Sequence, residues 1–149
     1  MDTCIFLAHA VKLELETEEA YLKLVERMAA IDNHDVAEFF CEMAGFCHLH
    51  RITAMRRAGF DASTDIHSII ASGPGGNSET PDLKDFESHL DLDGAMSLAL
   101  AAERRGVTFY EGIARTTTDT QTRLHAEEFA SEERGHVRAL ERFFGLQPY

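Results

Sequence analysis

Apolar residues recur at spacings of three and four along four long stretches of this 149-residue chain. That period places them on one face of an α-helix. The first stretch, about 3–30, has the stripe Leu7, Ala10, Val11, Glu14, Thr17, Tyr21 and Leu24. The second, about 35–58, puts Phe39, Met43, Cys47, His50 and Ala54 on one face. The third, about 93–115, aligns Met96, Ala99, Leu100, Glu103, Gly106, Val107, Tyr110 and Ile113. The fourth, about 120–144, turns Phe129, Glu133, His136, Leu140 and Phe143 inward. Punctuation agrees with these bounds. Residues 31–35 supply a stop and a new N-cap, Gly59 and Gly145 are C-terminal stops, and 116–119 form a tight cap region.

Between the second and third helices the pattern breaks over about 60–92. The run from Gly73 to Ser78 and Pro81 are loop chemistry, and Ile66 to Ala71 suits a short helical turn. Two helical hairpins joined by one long connection predict an all-α four-helix bundle with a single crossover, one domain over 1–149. A connection of that length also permits helix exchange between subunits, so a homodimer, domain-swapped or not, is the expected assembly.

Polar residues interrupt these apolar stripes at particular places. Glu133 and His136 form an E-x-x-H pair on one helix face, a spacing that lets a carboxylate and an imidazole share a metal ion. Glu14 and Glu103 lie mid-stripe on two other helices, and Cys47 and His50 repeat the E-x-x-H spacing with Cys in place of Glu. A lone buried carboxylate is costly, whereas several converging on a cation are tolerable. Cys47 reads equally as a ligand or as a small core residue. The other histidines (His9, His34, His48, His67, His89 and His125) read as surface or cap residues.

The two halves of the chain also match each other. At an offset of 89, Ala10, Glu14 and Tyr21 fall on Ala99, Glu103 and Tyr110. At an offset of 86, Ala44, Cys47, His50, Arg56 and Gly59 fall on Ala130, Glu133, His136, Arg142 and Gly145. A duplicated hairpin sets equivalent ligands on either side of a pseudo-two-fold axis, and two adjacent metals are its natural product.

Composition narrows the partners. A net charge of -12 repels nucleic acid and anionic membrane. Three cysteines without framework spacing suit a reducing cytoplasm. No segment reads as a signal peptide or a membrane span.

Taken together, Glu14…Tyr21, Cys47-x-x-His50, Glu103-x-x-Gly-x-x-Phe-Tyr110 and Glu133-x-x-His136 resemble the rubrerythrin-like branch of the ferritin-like di-iron superfamily, over essentially the whole chain. The resemblance implies a carboxylate-bridged pair of iron ions. It makes Glu14 and Glu103 terminal carboxylates, Glu133 a bridge, His50 and His136 capping ligands, and Tyr21 and Tyr110 hydrogen-bond donors behind the carboxylates. Peroxide, oxygen or ferrous iron are the implied small substrates, with an electron donor that the residues do not identify. The chain departs from the family at Cys47, which replaces a second bridging Glu, at Gly106, where a further Glu is common, and in having no C-x-x-C pair for a rubredoxin-type centre. Those departures keep a second expectation open: a non-catalytic bundle holding one zinc or iron.

Overall fold

A computed structural model describes residues 1–73 and 90–146. Among the described residues there are five helices and no strand: α1 (Thr3–Ala30), α2 (His34–Ala58), α3 (Ile66–Ala71), α4 (Leu92–Thr116) and α5 (Thr120–Phe143). The four long helices fall within a residue or so of the predicted bounds. The turn at Ile66 to Ala71 is the short helix α3, which packs against α1. The loop reading beyond Gly73, together with Pro81 and His89, lies outside the described residues.

Side chains close the helix ends. Asp2, Asn33, Asp91 and Asp119 each cap the N-terminus of a long helix by accepting a backbone N–H three residues on. The turn after α2 places Gly59 at φ +71°, a left-handed position that a Cβ disfavours.

α1 pairs mainly with α2, and α4 with α5, as hairpin partners do. The core forms two apolar clusters. One contains Tyr21, Leu24, Met28, Phe40, Met43, Cys47, Ala99 and Leu140. The other contains Phe6, Leu7, Val11, Ala54, Tyr110 and Phe129. Glu14, Glu103, Glu133 and His136 are buried but belong to neither cluster. Along α1, Glu14 follows the residues of the second cluster and precedes those of the first. The polar residues therefore form a waist between two apolar ends of the bundle.

Two sequence expectations need correction. His9, expected at the surface, is 2% exposed. It lies within the run Phe6–Val11, all of it buried. Its ring stands 5.9 Å from that of Phe109. Phe143, expected inward, is 42% exposed and stacks on Phe39 at 4.0 Å. The α5 stripe continues from Leu140 by a step of four, and Phe144 packs against the core instead.

Candidate metal centre

Each helix of the bundle brings one or two polar side chains to the waist. Glu14 comes from α1, His50 from α2, Glu103 from α4, and Glu133 and His136 from α5. Cys47 of α2, also read as a candidate ligand, packs in the first apolar cluster and only borders the carboxylates. Glu133 lies between the two histidines. Its Oε1 is 3.7 Å from Nδ1 of His50, and its Oε2 is 3.6 Å from Nδ1 of His136. Glu14 Oε1 stands 3.6 Å from Nδ1 of His50, and Glu103 Oε2 stands 3.4 Å from Nδ1 of His136. Two half-sites result, Glu14–His50 and Glu103–His136, and each faces one oxygen of Glu133. The two imidazole rings stack with centroids 4.9 Å apart.

The tyrosines cross over. Tyr21 of α1 donates to Glu103 Oε1 at 2.8 Å, and Tyr110 of α4 donates to Glu14 Oε1 at 3.2 Å. Each ring is rooted in one apolar cluster and steadies the carboxylate of the opposite hairpin. Gly106 leaves room at the centre: a Cβ there would lie 3.2 Å from Glu133 Oε2.

Several polar atoms at this waist are buried without a directed hydrogen bond: Glu14 Oε2, Glu103 Oε2, Glu133 Oε1 and His136 Nδ1. Buried polar atoms normally find partners, so a cluster of unsatisfied donor atoms is what a cation site looks like. The spacings agree. Two ligands bound at ~2.1 Å to one ion sit roughly 3.0–3.5 Å apart, close to the contacts above. His50, Glu133 and His136 can present one donor atom each with all three within 4.8 Å of one another. The residues therefore fit a metal.

Electrostatics show how the residues balance one another. Burial lowers the pKa of His50, but the adjoining carboxylates of Glu133 and Glu14 outweigh it and hold the ring at about 10. His136 reaches about 10 for the same reason, through Glu103 and Glu133. Burial, and then repulsion from Glu133, raises Glu103 to about 8. Protons on the imidazoles thus offset the carboxylates. Cys47 is 1% exposed; burial, followed by the charges of Glu14, Glu103 and Glu133, pushes its thiol far above the usual range.

Sequence reading missed two neighbours of the histidines. Glu132 Oε2 lies 3.1 Å from Nε2 of His50, on the side of the ring away from the centre. Phe46 stacks on His136 with centroids 5.6 Å apart. Both lie one residue before a position in the helix pattern, so periodicity passed over Glu132, and Phe46, read as a core or subunit contact, is 46% exposed. The signal was their adjacency to Glu133 and Cys47. His48 and His125 do lie off that face: His48 meets Glu18 and Arg51, and His125 meets Arg57.

Among the described residues no helix is long and apolar enough to cross a membrane. No known sequence family's profile matches the chain, and no curated protein does. The chain is similar to an uncharacterised conserved protein from Magnetospirillum magnetotacticum MS-1 of known crystal structure, at 29% identity and a TM-score of 0.78, covering 100% of this chain and 97% of that one. The fold is that of an all-α, ferritin-like helical bundle.

Proposed function

We propose that this protein is a dinuclear metal protein, with iron as its metal, that carries out redox chemistry on oxygen, peroxide or ferrous iron at the waist of the bundle. The observation that carries this reading is Glu133, whose two oxygens face His50 and His136 separately. Glu14 and Glu103 complete the two half-sites, and Tyr21 and Tyr110 fix those carboxylates. Three carboxylates supply three negative charges against two divalent ions, and Cys47 can supply a fourth as thiolate. Bound there, an iron pair supplies two electrons, which with two protons take peroxide to two waters. The chain's own part is to hold the ions among buried carboxylates and to keep the terminal ligands from swinging. The two imidazoles, stacked at the centre, release their protons as ions enter.

The experiment is anaerobic loading with ferrous iron, then addition of peroxide. Near-ultraviolet ferric absorption should appear within the mixing time in the native chain. The Glu133→Ala chain should keep its helical circular dichroism and give no such band. A band of equal size in Glu133→Ala sinks the reading.

One observation favours a second reading. His50, Glu133 and His136 are close enough to hold a single ion among themselves. Cys47, held as a thiol, then stays an apolar core residue, and the protein is a mononuclear zinc or iron bundle without turnover. A Cys47→Glu chain separates the two. It should gain oxidation activity if the second bridging position lies at the centre, and should behave as the native chain if the centre is mononuclear.

A further inference from the structure

The internal repeat gives His50 and His136 equivalent places, yet their surroundings differ. At the offset of 86 that relates α2 to α5, Glu132 corresponds to Phe46. Both side chains cover the histidine of the other helix. Glu132 Oε2 lies 3.1 Å from Nε2 of His50. Phe46 lies flat against His136, with 5.6 Å between centroids and 26° between planes. Among the described residues the carboxylates within 4.0 Å of His136 both face Nδ1, so none stands behind the ring.

The chemistry of the two rings differs accordingly. His50 turns Nδ1 to Glu14 and Glu133 and Nε2 to Glu132. When an ion takes Nδ1, the ring proton belongs on Nε2, where Glu132 accepts it. A carboxylate behind a ligating imidazole fixes the tautomer and raises ligand basicity, and its loss typically costs about 10–100-fold in metal affinity. Phe46, at the corresponding sequence position, lies against the face of the His136 ring and offers no acceptor, so it supplies neither effect. We infer that the two metal positions are unequal: the His50 half-site fills first, with Glu132 as its positioning residue, and the His136 half-site fills second.

The inference rests on the dinuclear reading, and one titration separates their failures. Zinc ion, which is redox-inert and diamagnetic, is added to the metal-free protein while the imidazole signals of His50 and His136 are followed by NMR. The His50 signals should move during the first equivalent and the His136 signals during the second. In Glu132→Gln the first step should weaken about 10–100-fold and the order should be lost. Glu132→Asp, which keeps the carboxylate, should restore the order in part. Simultaneous movement, His136 moving first, or an unchanged order in Glu132→Gln overturns the inference while leaving a metal site. A chain in which neither ring responds to zinc overturns the metal reading as well.

Discussion

The hydroxyl of Tyr21 donates to the Glu103 carboxylate at 2.8 Å, from α1 across to α4, with both groups fully buried. Tyr110 returns the contact to Glu14 at 3.2 Å. The crossed pair ties the two hairpins together through the carboxylates of the candidate centre. Removing the Tyr21 hydroxyl leaves Glu103 Oε1 without that partner, which costs about 1–3 kcal/mol. Tyr21→Phe should therefore lower the melting temperature of the metal-free protein by roughly 2–10 °C. Tyr110→Phe, with the longer contact, should cost less. Thermal melts of the two variants check both values and their order.

Gly106 sits inside α4, where alanine favours the helix by about 1 kcal/mol. A Cβ there crowds Glu133, at 3.2 Å from Oε2 and 3.3 Å from Cδ. Gly106→Ala should leave the metal-free fold as stable as before, or more stable, while metal affinity falls about tenfold or more through displacement of the shared carboxylate. Denaturant unfolding and a metal titration on the same sample check the split. Loss of stability with affinity intact would contradict it.

The protonation balance predicts a pH dependence. The two histidines titrate at about 10 in the fold, against 6.5 ordinarily. A folded pKa above the unfolded one gives stability that is complete below 6.5 and is lost as pH rises through 10. Glu103, raised from 4.5 to about 8, acts in the same direction over its own window. The metal-free protein should therefore melt at falling temperature from pH 6.5 to pH 10. Metal replaces those protons, so affinity should rise over the same range and the loaded protein should lose less. Melts with chelator and with metal across that range test this, and a metal-free protein that gains stability toward pH 10 contradicts it.

Thiol reactivity gives an independent reading of the centre. Cys4 and Cys41 are exposed, and Cys47 is buried beside three carboxylates that disfavour its thiolate. A thiol reagent at pH 8 should modify two cysteines quickly and the third only on unfolding. Mass spectrometry of the modified chain identifies which. Rapid labelling of Cys47 would show that the waist is open to solvent.

Much of this arrangement was readable from periodicity. Helix bounds followed from caps and glycines, and the buried Glu14, Glu103, Glu133 and His136 followed from their place in apolar stripes. Contacts across the bundle were harder to read. Tyr21 lies seven residues after Glu14, on the same helix face, yet it serves Glu103 on the opposite hairpin. Spacing along one helix carries no information about which partner lies across it. His9 looked exposed because nothing near it in sequence shows that Phe109 of α4 lies against its ring. Phe143 and Phe144 are adjacent aromatics at a helix end, where steps of three and four both fit, and packing alone selects Phe144. Glu132 was hidden by its neighbour: the bridging candidate Glu133 accounted for the pattern, and a residue beside it on a helix points about 100° away.

The central claim is that Glu133 joins two metal positions in one chain. The measurement that tests it most directly is elemental analysis of metal per chain after anaerobic ferrous loading and removal of free ions. The account predicts two irons in the native chain and loss of both positions' tight binding in Glu133→Ala. One iron in the native chain, or two retained in Glu133→Ala, would contradict it.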